Sequence, residues 1–156
     1  MPKTYYETIQ LIERMHRHFL DVLKIEIERV GIQDINNVQA LILYNIGGDD
    51  LTVGELTVRG YYLGSNVSYN VKKMVEAGYL IQERSQHDRR SVRVHVSEKG
   101  KELKDKMTEI FAKHMTDLKT TVELDEEKLT LFNERMRLLE RFWASRSTPA
   151  NNLVNF

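Results

Sequence analysis

Residues 50–100 carry a pattern that few architectures satisfy: a short helix, a turn, a second helix and a basic hairpin, in that order. Thr52 and Glu55 have the T-x-x-E spacing of a capping box, in which hydroxyl and carboxylate each satisfy a backbone N–H of the first turn. Val53 and Leu56 follow as inward residues, and Gly60 is a suitable helix stop. Tyr61, Tyr62, Leu63 and Gly64 form the connection. The second helix opens at Ser65, a good N-cap residue. Its apolar positions Val67, Val71, Met74 and Val75 fall on one helical face. Gly78 stands at its expected end. Leu80–Arg84 then reads as a strand, and Val92–Val96 alternates apolar and polar as a half-buried strand does. Ser85-Gln86-His87-Asp88-Arg89-Arg90-Ser91 joins the two.

After Ser65, the remaining positions of the second helix are Asn66, Ser68, Tyr69, Asn70, Lys72, Lys73 and Glu76. Amides, hydroxyls and lysines suit a DNA major groove, where Asn pairs two-pronged with adenine and Lys reaches guanine or phosphate. Every amphipathic helix has a polar face, so the hairpin must add to the argument. Arginines at its tip, Arg89 and Arg90, can enter a narrow minor groove of negative potential. Asp88 beside them suits an orienting partner better than a phosphate contact. A solvated charged turn has the same composition. Two functions share this pattern: a winged helix-turn-helix that reads duplex DNA, and a winged-helix protein-interaction module without DNA binding.

The run Asp88-Arg89-Arg90-Ser91-Val92-Arg93-Val94-His95-Val96-Ser97-Glu98-Lys99-Gly100 resembles the wing signature D-x-R-x-x-x-V-x-L-[TS]-x-x-G of the multiple-antibiotic-resistance regulator (MarR) family. Val67-Ser68 with Val71, Met74, Gly78 and Tyr79 is similar to the family's recognition helix and its exit, and the resemblance spans roughly Tyr5 to Trp143. It implies a homodimeric transcription regulator, repressor or activator, of a kind often tied to stress response in bacteria. Residues Ser65 to Lys73 would enter the major groove and Arg90 the minor groove, supported by Asp88. Two recognition helices would lie roughly 34 Å apart on a pseudo-palindromic operator. The chain departs from the family at Tyr69, where a basic residue is frequent, and at Asn70, where Leu is frequent. It also looks similar to an alphaproteobacterial subgroup linked to L,D-transpeptidase and cell-envelope genes.

The resemblance also implies a cleft between the dimer layer and the DNA-binding lobe that accepts a small aromatic or phenolic effector. The candidates to line it are His16, Phe19, Leu20, Tyr44, Tyr61 and Tyr62. Core packing or hinge filling accounts for the same residues.

Formal charge is zero, which argues against a general nucleic-acid coat, so distribution matters more than sum. Residues 1–50 carry a net charge of −3 and residues 72–100 a net of +3, so the basic excess falls on the expected groove-facing elements. With no cysteine, disulfides, thiolate metal sites and Cys-based redox sensing are excluded. His16 and His18 point about 200° apart on a helix, and His87, His95 and His114 are scattered, so no metal is expected. No P-loop, nucleophile elbow or dinucleotide fingerprint occurs, so neither an enzyme nor a cofactor is expected. The opening MPKTYYETIQ lacks the apolar stretch of a signal peptide, and no run approaches a membrane span. A cytoplasmic protein without membrane contact is the expectation.

The expected fold is mainly α with a small β-hairpin wing, a winged helix-turn-helix between long N- and C-terminal dimerisation helices. By length the chain is one domain, 1–156. Residues of about 35–97 form the DNA-binding lobe, about 5–30 and 98–143 the dimerisation helices, and 145–156 a loosely held tail. The first helix, Tyr5 to about Val30, is apolar on more than one face, which suits two sets of neighbours, one of them a second copy of the chain; a helix buried deep in one domain has the same pattern. Gly31 ends it. Asn36 with Gln39 caps the next helix, with Val38, Leu41, Ile42 and Ile46 inward. Ser97 caps a long helix to about Lys119, and Asp125 caps the last, with Leu124 and Leu129 placed for a hydrophobic staple.

Overall fold

The structure, a computed structural model, describes residues 2–60, 64–88 and 91–147. These form α1 (Lys3–Arg29), α2 (Asn37–Ile46), β1 (Leu51–Thr52), α3 (Val53–Gly60), α4 (Gly64–Glu76), β2 (Leu80–Arg84), β3 (Val92–Val96), α5 (Glu98–Val122) and α6 (Glu126–Ser147). The architecture is mainly helical with a small antiparallel sheet, as the sequence pattern predicts. The chain divides into two compact units, Met1–Ile110 and Phe111–Phe156, so the division falls inside α5.

The ends of the helices are written locally. At the end of α1 the Gly31 N–H reaches the Glu28 carbonyl and the Ile32 N–H reaches Ile27, a Schellman closure that places Gly31 at φ +84. Gly78, at φ +83, closes α4 the same way, with Tyr79 N–H bonded to the Met74 carbonyl. The Asn36–Gln39 box opens α2 and the Thr52–Glu55 box opens α3, each bonded in both directions. Ser97 Oγ accepts from Gly100 N–H at 3.1 Å, and Asp125 Oδ1 from Lys128 N–H at 3.0 Å. One expectation needs correction: α4 begins at Gly64, so Ser65 lies within the helix and not at its N-cap. Another is the tail, because Ser145–Ser147 still belong to α6.

The core of the first unit joins Leu23 and Ile27 of α1 to Ala40, Ile42, Leu43 and Ile46 of α2, and to Leu56, Val67, Val71 and Met74 of the helix pair. Leu80, Val94 and Val96 of the sheet and Leu103 and Met107 of α5 complete it. Each Val, Leu, Ile or Met among these contributes about 1.5–3 kcal/mol by leaving water. In α2, Ala40 and Leu43 are buried while Val38 and Leu41 are only half-buried, which rotates the inward face from the one expected.

The sheet has strand order β1-β3-β2. β2 and β3 pair from Leu80↔Val96 to Arg84↔Val92, the expected hairpin. The pairing of Leu51 and Thr52 with Val94 and Arg93 is an addition, a two-residue strand that the sequence pattern did not announce. In the second unit, α6 has no buried residue in the single chain, and Leu131, Phe132, Leu138 and Phe142 are exposed. Among the described residues, no helix is long and apolar enough to cross a membrane.

Candidate nucleic-acid interface

α4 is anchored by Val67, Val71 and Met74, all buried, which point its opposite face to solvent. Asn66, Ser68, Tyr69, Lys72 and Lys73 are exposed there, over an arc of about 160° at 3.6 residues per turn. Tyr69, an aromatic side chain, is 61% exposed. Lys73 lies over its ring at 5.8 Å and makes a loose pair with Glu76 at 3.6 Å. Lys72 is exposed and has no ion pair among the described residues. A cleft of about 620 Å³ separates α4 from the sheet, lined by Thr52, Val53, Ser68, Lys72, Gln82 and Val92 among others.

Asn70 differs from its neighbours and from the expectation. It is half-buried, and its amide is committed in both directions. Nδ2 donates to the Asn66 carbonyl at 2.8 Å, and Oδ1 accepts from Gln39 Nε2 at 3.2 Å. The capping spacing of Gln39 in the sequence does not announce this second bond. The available signal was a primary amide inside the apolar run NVQALILYNI, where a buried N–H left unpaired costs about 1–3 kcal/mol.

The wing tip is set by Ser85, whose N–H bonds the Ser91 carbonyl at 3.1 Å and whose hydroxyl accepts from His87 and Asp88 N–H. The Asp88 carbonyl accepts from Ser91 N–H at 3.0 Å. Asp88 is exposed at that tip. Arg89 and Arg90 lie outside the described residues, as do Tyr61 and Tyr62, and the side chain of Ser65 is likewise not described.

The basic excess of residues 72–100 is smaller on the surface than along the chain. Arg93 is held by Asp50, with Nη2 on its carbonyl at 2.8 Å and Nε 3.3 Å from its carboxylate. Lys99 is held by Asp34 at 2.7 Å and by the Ala77 carbonyl at 2.8 Å, and its ammonium stands 4.4 Å from the Tyr79 ring centre. The Tyr79 hydroxyl donates to the other Asp34 oxygen at 2.5 Å. Partial burial pushes the Asp34 carboxyl up, but the hydrogen bonds from Lys99 and Tyr79 outweigh it and hold the group below its ordinary value. Burial, reinforced by Asp34, pushes the Tyr79 phenol well above its own.

The effector candidates divide between two helices. On α1, His16 is exposed, Phe19 is 40% exposed, and Leu20 is half-buried with its carbonyl accepting from Asn37 Nδ2 at 2.8 Å. Tyr44 on α2 turns to α5, its hydroxyl 3.4 Å from Thr108 Oγ1 and its ring beneath Lys104. An open, largely polar cleft of about 830 Å³ lies elsewhere, lined by Lys24, Ile27 and Glu28 of α1, residues 32–37 and Gln39. No group of three or more His, Cys, Asp or Glu residues fit for a metal occurs among the described residues.

A helix pair with a solvent-facing second helix, flanked by a three-stranded sheet, defines a winged-helix protein. Residues 33–91 match the family model described as MarR family. Over that stretch, from before α2 to the wing, the chain is similar to the MarR family. It is 43% identical over 100 residues, 64% of its length, to the exopolysaccharide II synthesis transcriptional activator ExpG of Rhizobium meliloti (strain 1021). Those residues are 52% of that protein, and the chain spans about half the length of the curated relatives it matches. Among solved structures, Staphylococcus aureus MarR in complex with salicylate and kanamycin aligns at a TM-score of 0.78 with 17% identity, over 94% of this chain and 96% of that one. Streptococcus pneumoniae FabT in complex with DNA aligns at 0.68 with 20% identity, over 92% and 99%. At these identities the likeness is one of fold.

Proposed function

We propose that this chain is a sequence-specific DNA-binding transcriptional regulator that acts in the cytoplasm as a homodimer on a pseudo-palindromic operator. The observation that carries the reading is the exposed face of α4, where Asn66, Ser68, Tyr69, Lys72 and Lys73 stand clear of a core-anchored helix. Asn and Ser offer base-edge hydrogen bonds, and the lysines offer phosphate contacts that set affinity and salt dependence. The helix would lie in the major groove, with Asp88, Arg89 and Arg90 of the wing serving the adjacent minor groove. FabT, of the same fold, was solved with DNA.

Dimerisation is supported by apolar surface that a lone chain leaves in water. Tyr5, Tyr6, Leu11, Met15, Val22 and Ile25 of α1 are exposed, as are Leu131, Phe132, Leu138 and Phe142 of α6. Modulation by a small aromatic or phenolic ligand follows from the family. It is supported by the salicylate complex of the S. aureus protein and by the partly open Phe19, Leu20 and Tyr44. Such a ligand acts only by binding two arrangements of the DNA-reading lobes unequally.

The test is fluorescence anisotropy on DNA from upstream of the chain's own gene, beside a scrambled duplex of equal length, at two salt concentrations. The expected result is a clear affinity excess for the native fragment. Equal, salt-labile binding to both would remove the operator from the proposal. Binding to neither would replace it with the protein-interaction reading.

A further inference from the structure

The one polar side chain recorded as buried among the described residues is Gln39, at 6% exposure, and it faces the recognition helix. Its amide stands in a directional chain. The Asn36 N–H donates to Gln39 Oε1 at 3.0 Å, Gln39 Nε2 donates to Asn70 Oδ1 at 3.2 Å, and Asn70 Nδ2 donates to the Asn66 carbonyl at 2.8 Å. A backbone donor at one end and a backbone acceptor at the other fix which way both amides point, since either one reversed would set like against like. The chain therefore has a single polarity. It runs from the first turn of α2 to the first turn of α4, where Asn66 stands on the exposed face.

We propose that Gln39 is a positioning residue for DNA recognition: through Asn70 its buried amide fixes the rotation of α4 about its own axis, so that base reading by Asn66, Ser68 and Tyr69 depends on a residue that touches no DNA. The inference rests on the reading of α4 as the groove-entering helix. Apolar contacts at Val67, Val71 and Met74 hold α4 against the core but tolerate small rotations, because dispersion contacts have no preferred direction. A hydrogen bond at the side of the helix has one. α2 is itself fixed to α1 by Asn37 Nδ2, which donates to the Leu20 carbonyl at 2.8 Å, so the rotation is set relative to α1 as well.

Gln39→Glu separates positioning from folding. A carboxylate at this position keeps the capping box, since it accepts from Asn36 N–H as the amide does. It cannot donate to Asn70 Oδ1. Asn70→Leu breaks the same link from the other side and leaves the cap intact. Both variants are made in the full chain and compared with the parent for melting temperature, affinity for the upstream and scrambled duplexes, and hydrogen exchange of the α4 backbone amides without DNA. The expected result is a melting temperature within a few degrees of the parent and unchanged affinity for the scrambled duplex. The ratio of specific to non-specific affinity falls about tenfold, the scale of one misread base pair. Exchange from Val67 to Met74 is faster in both variants. An unchanged ratio in folded variants overturns the proposal. Should the parent itself not discriminate the duplexes, the assumed operator fails separately. Equal α4 exchange in parent and variants then overturns the positioning link on its own evidence. If Gln39→Glu does not fold, Asn70→Leu decides by the same readings.

Discussion

Gly100 sits where α5 passes the carbonyl of Tyr79, and a Cβ there would meet that oxygen, stand 2.6 Å from Val96 Cγ1 and 3.3 Å from Leu43 Cδ1. The glycine that closes the wing signature is thus a matter of space and not of backbone conformation. Gly100→Ala is expected to destabilise the fold by about 1–3 kcal/mol, the scale of overpacking a close-packed core. A thermal melt lower by several degrees checks this, and an unchanged melt would mean α5 shifts without resistance. At the same scale, most of the solvent-facing side chains of α4 were legible in the sequence, because the period of the helix separates them from Val67, Val71 and Met74. Asn70 was not. Its partner lies 31 residues away, and a helical wheel gives a half-buried flank no partner. The replacement of the family's frequent Leu by Asn at this position has a structural reason, since only a polar side chain can meet Gln39.

At the scale of elements, the cluster of Asp34, Tyr79 and Lys99 joins the segment before α2, the residue before β2 and the first turn of α5. Asp34 is held below its ordinary value of 3.8, so its charged form belongs to the folded state. The sign follows: a depressed carboxyl stabilises the fold above its unfolded value, and that contribution is lost as pH falls through the folded one. The melting temperature of Asp34→Asn is expected to lie below the parent's at pH 6, with the gap closing as pH drops below 3.8. A gap that persists in acid would show that the pair acts through packing instead. Helix limits were legible because caps and C-terminal glycines act within four or five residues, as at Thr52–Glu55, Asn36–Gln39, Gly31 and Gly78. β1 was not, since two residues are too few for an alternation, and its partner strand lies about forty residues on. The window of positive charge was likewise misleading in linear sequence, because Asp50 and Asp34 lie outside it and hold Arg93 and Lys99.

For the whole molecule, the exposed Tyr, Met, Val, Leu and Phe side chains of α1 and α6 set the expectation of a second copy. Sedimentation equilibrium is expected to return twice the chain mass, and Phe132→Glu to shift it toward the single-chain value while helix content is kept. A parent that sediments as one chain would remove the homodimer and with it the paired half-sites. In the sequence the first helix is apolar on more than one face, and the exposed apolar side chains of α1 carry the same expectation. β1 ends at Thr52 and α3 begins at Val53, with no residue between them, and Thr52 both pairs with Arg93 in the sheet and caps the helix. Sheet and helix pair are therefore locked in length. One inserted residue at this junction would turn α3 by about 100° relative to the sheet, whereas residues at the wing tip carry no such phase. Over evolutionary time, gains and losses of residues in this lobe should accumulate at the tip and be purged at the junction.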